Sequence, residues 1–368
     1  MNRRGWAGRR AERSSPPPKA NMAKTCSYIF DQIASFDALH AAYVRARRGK
    51  RQRPEVTRFE QNLEGNLIQL QNELVWGEYR TGRYRYFEVT EPKRRLVAAL
   101  PFRDRVVQHA IHAAIEPIWE SRFIFDSYAC RPFKGSHRGA DRAQAMMREV
   151  KRRHGRVCAY KADIAKYFAN IDHGILKQLL RKSLACGRTL EFLDEIIDSQ
   201  DVACGIPIGN LTSQLFANIY LHELDKYVKF YLRERYYLRY MDDFVVLHHD
   251  KRHLAIVRNE IEAFLDKELR LQTNSKSQIF PISLLRGRPL DFLGYRIWPT
   301  HRKLRKNSVN RMRRRLKSLA RQYAAGRLGL EKIHSRIASW LGHAGHANSY
   351  HVREKLLANT TFERRSNG

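Results

Sequence analysis

The spacing of apolar residues changes period several times along this chain, and each change marks an element. Over residues 27–76 the apolar positions recur at helical spacing, with Leu63, Leu67, Leu70 and Leu74 on one stripe, which predicts amphipathic helices. Residues 79–100 are β-rich, with a basic tip at Lys93-Arg94-Arg95. A helical pattern returns over 103–118, with Pro117 in its last turn. Residues 157–162 form a short β-prone run that ends at Asp163. Leu176, Leu179, Leu180 and Leu184 then share one side of a helix near Gly174. The loop Gly205-Ile206-Pro207-Ile208-Gly209 opens a helix over about 212–232, and residues 236–248 read as two strands flanking Met241-Asp242-Asp243.

Beyond Pro299 the character shifts. Between Arg302 and Arg321, ten of twenty residues are Lys or Arg. Val309, Met312, Leu316, Leu319 and Tyr323 nevertheless fall on one helical face, and Leu330, Ile333, Ile337, Trp340 and Leu341 make a second stripe. The spacing predicts a small helical module, greasy on one side and strongly basic on the other. At the other end, residues 1–26 read as a disordered basic tail, or in part as sequence upstream of a start at Met22.

Composition adds a partner. At 368 residues and 43% hydrophobic, the chain can bury a sizeable core in one large or several smaller units. Lys and Arg number 69 against 37 acidic residues, a net +32. Self-repulsion of that size calls for a polyanion, and nucleic acid fits because phosphate neutralisation releases counterions. No apolar run suggests a membrane span or a signal segment. Cys26, Cys130, Cys158, Cys186 and Cys204 are scattered, which argues against a zinc ribbon or a disulfide framework and fits a reducing cytosol. The pairs His109/His112 and His343/His346 have metal-like spacing but no further ligands beside them in sequence.

The candidate chemistry lies in three carboxylates. Asp242 and Asp243 sit in a tight turn between apolar strands, where adjacent acids are costly unless a cation binds them. Asp163 ends its own strand in Tyr160-Lys161-Ala162-Asp163-Ile164-Ala165-Lys166-Tyr167-Phe168. An acid at a strand end beside a hairpin with two more would complete a two-metal clamp for Mg²⁺, a hard ion that takes oxygen ligands.

In this order the motifs resemble the palm of retroviral-type reverse transcriptases, especially the bacterial branch that includes group II intron enzymes. Arg95 to Gln108, with Asp104-Arg105-Val106-Val107-Gln108, resembles the first finger motif. Ser127-Tyr128-Ala129-Cys130-Arg131-Pro132 through His137-Arg138-Gly139-Ala140 resembles the second. Asp163 to Phe168 with Ile171-Asp172-His173, the segment from Gly205 to Leu221, and Tyr240-Met241-Asp242-Asp243 match the metal strand, the pocket loop and the catalytic hairpin. Leu271-Gln272-Thr273-Asn274-Ser275-Lys276 and Phe292-Leu293-Gly294-Tyr295 resemble the pyrophosphate-side lysine motif and the primer grip.

The resemblance implies an α+β right-hand polymerase: fingers over 27–156, an antiparallel-sheet palm over 157–299 and a basic helical thumb over 300–368. It implies an RNA-directed DNA polymerase that works on template RNA, primer and dNTPs and releases cDNA, in the cytoplasm of a bacterium or encoded by a phage. Two Mg²⁺ ions, with Mn²⁺ as substitute, would be held by Asp163, Asp242, Asp243 and the Ile164 carbonyl. Phe168 takes the place of the steric gate against a 2′-hydroxyl, its alternative being a plain core residue. Arg95 and Arg131 would grip the triphosphate or the template, since guanidinium forks suit phosphate oxygens. Lys276 would donate a proton to pyrophosphate, or simply sit on the surface.

One departure narrows the resemblance. Where intron enzymes carry Gln-Gly-x-x-x-Ser-Pro, this chain reads Ile208-Gly209-Asn210-Leu211-Thr212-Ser213-Gln214. A branched apolar residue replaces an amide, and Gln214 replaces the proline. That loop resembles the reverse transcriptases of diversity-generating retroelements. These copy a template-repeat RNA with errors opposite adenine and work with a small basic accessory variability protein. The alternatives are an intron-type or phage-defence reverse transcriptase, and a non-catalytic RNA-binding palm scaffold.

Overall fold

A computed structural model describes residues 29–90, 94–200, 202–285 and 287–364. The tail over 1–26, with Cys26, and Lys93 of the expected basic tip lie outside the described residues. Four helices open the described chain: α1 (Ile29–Ala34), α2 (Phe36–Ala46), α3 (Pro54–Glu60) and α4 (Leu63–Trp76). The expected stripe of α4 is its inner face, with Leu67, Leu70 and Leu74 buried. A two-stranded antiparallel sheet follows, β1 (Arg85–Val89) against β2 (Arg95–Ala99), and then α5 (Phe102–Glu120).

Three further helices go beyond the elements expected from the sequence: α6 (Ser136–His154), α8 (Gly187–Asp198) and α10 (Lys251–Leu269). In α6 the buried face is built from Gly139, Ala140, Ala143, Met146, Met147 and Val150 amid many charges, a weaker signal than a leucine stripe. The remaining elements of the centre are β3 (Cys158–Asp163), α7 (His173–Arg181), α9 (Leu211–Lys226), β4 (Tyr237–Tyr240), β5 (Asp243–His248) and β6 (Gln278–Pro281). The helix expected over 212–232 is corrected. Its α-helical part is α9, and Tyr227–Tyr231 winds on as a wider π turn in which Tyr227 stacks on Tyr231 and Phe264.

Strands β4, β5, β3 and β6 form one antiparallel sheet in that order. Both faces are covered, so alternate residues enter different cores. Tyr160, Ala162, Tyr237, Phe244 and Val246 join the large core with α5, α9 and α10. Ala159, Leu238, Val245 and Leu247 join a second core with α6. A three-stranded sheet of β7 (Leu290–Phe292), β8 (Tyr295–Ile297) and β9 (Arg302–Leu304) closes that second core with Leu290, Phe292, Tyr295, Ile297 and Leu304. Helix α9 is buried nearly all round, its polar Thr212, Ser213, Asn218, His222 and Asp225 included, and runs through the large core, where such groups need internal partners.

Three helices finish the described chain: α11 (Lys306–Ala324), α12 (Leu330–Gly345) and α13 (Tyr350–Ala358). Met312, Leu316 and Leu319 are buried as the stripe predicts, but Leu330 is exposed. The overall class is the expected α+β arrangement with an antiparallel central sheet. Among the described residues, no helix is long and apolar enough to cross a membrane.

Candidate active site

Antiparallel pairing of β3 with β5 sets Asp163 directly opposite Asp243. Tyr240 pairs with Asp243 across the hairpin, so Met241 and Asp242 form a two-residue turn between β4 and β5. Met241 has φ of +56°, a conformation that costs a residue with a side chain about 1–2 kcal/mol. Two hydrogen bonds hold that turn. The Ile164 amide donates to the Asp242 carbonyl (3.2 Å), and Arg239 Nη1 donates to the Met241 carbonyl (3.1 Å). The same strand alternation places Lys161, Asp163 and Asp243 on one face, where Lys161 Nζ lies 2.9 Å from Asp243 Oδ1.

Burial raises the Asp243 carboxyl to about 6. The Lys161 ammonium opposes that shift, while the charges of Asp163 and Asp242 add to it. Among the described residues, no three acidic, imidazole or thiol groups are spaced to hold an ion. The donor set itself suits a divalent ion. It comprises two carboxylates on facing strands and a third in the adjoining turn, with like-charge repulsion that a cation relieves and one lysine now relieving part of it.

The segment expected to carry the pyrophosphate-side lysine runs beside Asp163. Asn274 N donates to the Asp163 carbonyl (2.6 Å), and Ala165 N donates to the Gln272 carbonyl (2.9 Å). Lys276 is exposed two residues on, its amide bonded to Asn274 Oδ1 (3.1 Å). Phe168 lies in a 3-10 turn (Tyr167–Ala169) rather than on a helix. It is half-buried, set edge-on to Tyr167, and its carbonyl accepts from Ile206 N (2.8 Å), which ties it to the pocket loop.

That loop in turn is clamped to the two-stranded sheet. Ala98 N donates to the Ile208 carbonyl (2.9 Å), leaving the Ile208 side chain partly exposed. Gly209 has φ of +127°, and a Cβ there would stand 2.6 Å from the Ala98 carbonyl, so glycine is required by both backbone and space. Asn210 Nδ2 donates to the Tyr84 hydroxyl (3.0 Å), and Gln108 Oε1 caps the start of α9 by accepting from Leu211 N (3.2 Å). Gln214 is half-buried in the first turn of α9, and Arg95 is exposed at the start of β2.

Three expectations are corrected. The Arg131 guanidinium is buried against its own finger segment. It forks onto Glu120 through Nε and Nη2 (both 2.8 Å), while Nη1 donates to the carbonyls of Ile124 (2.6 Å) and Ser127 (2.9 Å). Four of its donors are thus spent on holding the loop after α5. Phe292 and Tyr295 of the expected primer grip are fully buried in the second core, because alternation turns both inward. Only Leu293 and Gly294, both at positive φ, form the hairpin tip between β7 and β8.

Sequence reasoning missed Lys161, Gln108 and the buried trio of Asn218, Asp225 and Arg239. A signal existed. Arg239 interrupts an otherwise apolar strand and Gln108 an apolar helix face, and polar groups in such places need partners.

Sequence comparison places the span that carries these acids in a known family. Residues 90–297 fit the family model described as reverse transcriptase (RNA-dependent DNA polymerase), which is more than half of the chain. The chain belongs to the reverse transcriptase family.

Among its relatives, protein YkfC of Escherichia coli K12 is 27% identical over 271 residues, covering 61% of this chain and 70% of YkfC. The group II intron-encoded protein LtrA of Lactococcus lactis is 29% identical over 145 residues, covering 37% of this chain and 23% of LtrA. Telomerase from Candida albicans, solved with a fragment of telomeric RNA, is a looser likeness. It has a TM-score of 0.46 at 11% identity, covering 77% of this chain and 55% of that one. A Cas6-RT-Cas1–Cas2 complex gives 0.39 at 18%, covering 65% of this chain and 27% of that one. The chain thus spans about half of the telomerase chain and under a quarter of LtrA.

Proposed function

We propose that this protein is an RNA-directed DNA polymerase in which Asp163, Asp242 and Asp243, with the Ile164 carbonyl, hold two Mg²⁺ ions, or Mn²⁺ in their place. The observation that carries the reading is the register of Asp163 opposite Asp243, with Asp242 bonded through its carbonyl to the residue after Asp163. When bound, the two ions supply Lewis acidity at the primer 3′-hydroxyl and at the leaving pyrophosphate. The protein's own groups do the rest. The ring of Phe168 lies under the incoming sugar, Lys276 stands on the pyrophosphate side of Asp163, and Arg95 reaches the template or triphosphate from the finger sheet. Leu293 and Gly294 meet the primer at the hairpin tip. Fingers (27–156), palm (157–299) and thumb (300–368) then enclose a template–primer duplex.

The finer reading is an error-prone enzyme of the diversity-generating type, acting on a template-repeat RNA with a small basic accessory protein. It is supported by Ile208 in the pocket loop. Its side chain offers contact but no hydrogen bond to a nascent pair, and each 1.4 kcal/mol of lost discrimination costs about tenfold in selectivity. Similarity to LtrA favours the second reading, an intron-type reverse transcriptase.

Primer extension on an RNA template with Mg²⁺ tests both levels. Asp242→Asn is expected to abolish synthesis by the folded chain, and absence of extension by the native chain under any metal would leave an RNA-binding scaffold. Ile208→Gln is expected to lower misincorporation opposite adenine. An unchanged error rate removes Ile208, and with it the support for the finer reading.

A further inference from the structure

The ion pair of Asp225 and Arg239 lies outside the acid cluster yet touches the turn that carries it. Both side chains are fully buried. Arg239 Nε and Nη2 fork onto the two Asp225 oxygens (2.7 and 2.6 Å), and the Tyr237 hydroxyl donates to Asp225 Oδ1 (2.7 Å). The remaining nitrogen, Nη1, is shared between Asn218 Oδ1 (3.2 Å) and the Met241 carbonyl (3.1 Å). A buried pair of this kind is a poor source of stability, because well-packed apolar groups of similar volume commonly serve as well. What apolar groups cannot supply is a donor for the Met241 carbonyl.

That carbonyl belongs to the residue immediately before Asp242. Met241 is at positive φ, which a residue with a Cβ leaves when nothing holds it there. The next carbonyl, of Asp242, is held by Ile164 N, the residue after Asp163. Two consecutive peptides of the turn are therefore fixed, one from β3 and one from inside the core. Asp225 sits in the last turn of α9, whose first turn follows the Ile208–Gly209 loop, so one helix connects the pocket loop to the acid turn.

The geometry points to Arg239 as a positioning residue for the acid turn: anchored by Asp225, its guanidinium fixes the Met241 carbonyl and so the direction in which Asp242 meets Asp163. This rests on the reading of Asp163, Asp242 and Asp243 as the metal-holding acids. Lysine cannot replace it, since one ammonium cannot both fork onto Asp225 and reach Met241.

The test measures kcat and the dNTP KM of the full chain on a primed RNA template, with thermal unfolding alongside. Arg239→Lys is expected to lower kcat by about 100-fold, the scale of a small misplacement of reacting groups, with KM near native. Adding Met241→Gly should restore part of kcat, because glycine takes positive φ freely. Tyr237→Phe removes a bond to Asp225 but not the Met241 contact, and should lower the melting temperature while leaving kcat. If kcat simply follows melting temperature across these variants and glycine rescues nothing, the pair is only structural and the inference is overturned. Should Arg239→Lys fail to fold, Asn218→Ala decides. It keeps the fork but loosens Nη1, so kcat should fall several-fold, and a native kcat overturns the inference. Asp242→Asn separates the two levels. Activity there sinks the acid reading itself, whereas a dead Asp242→Asn beside a fully active, folded Arg239→Lys sinks only the positioning role.

Discussion

Arg131 and Arg239 carry the same group and spend it inside the protein, and their partners decide what each does. Arg131 gives four hydrogen bonds to Glu120 and two loop carbonyls, all within residues 120–131. Arg131→Ala is therefore expected to cost stability of about 2 kcal/mol, discounted from a fully buried pair because Glu120 is partly exposed. Denaturant unfolding checks this. Primer extension with the same variant should show an unchanged dNTP KM at temperatures where it is folded, and a large KM effect would return Arg131 to the nucleotide site. Both arginines were visible in the sequence, but neither direction was. Guanidinium groups match phosphates and carboxylates equally well, and only the folded neighbours choose between them.

At the level of elements, the joint between the β1–β2 sheet and α9 depends on one glycine. Gly209 allows the loop to lie against β2, where the Ile208 carbonyl accepts from Ala98. Gly209→Ala should push the loop away and strain its backbone, at a cost of about 1–3 kcal/mol localised there. The expected outcome is a raised dNTP KM with little change in the melting temperature of the whole chain, measured by steady-state extension and calorimetry. An unaltered KM would show that the loop's seat on β2 does not shape the nucleotide pocket. The sequence marked this loop through its Gly-Ile-Pro-Ile-Gly run, and marked α9 as the helix that this loop opens. It marked Gln108 as a polar residue in need of a partner, but not that the partner is the start of α9, about a hundred residues on. Such a contact has no periodicity to read.

Across the whole molecule the net charge of +32 is the dominant long-range property. Seven of the basic residues and no acidic one lie on α11, whose exposed side is basic while Met312, Leu316 and Leu319 face inward. RNA affinity is expected to fall linearly with salt on logarithmic axes. With about 6–10 phosphate contacts, the loss would be about 10³–10⁵ between 50 and 200 mM salt. Fluorescence anisotropy with a labelled RNA checks this, and an affinity independent of salt would refute a phosphate-led interface.

The sequence by itself determined which acids are candidates, the order of motifs, the strongly basic net charge and the stripe of α4. Each is carried by residue type and short-range spacing, which chain chemistry alone can express. Tertiary structure decided the rest. It turned Arg131, Phe292 and Tyr295 inward, set Lys161 on Asp243, and gave Arg239 its grip on the turn before Asp242. Those assignments depend on which face of a strand meets which core and on partners distant in the chain. Burial and pairing fix them only once the two cores have closed around the sheet.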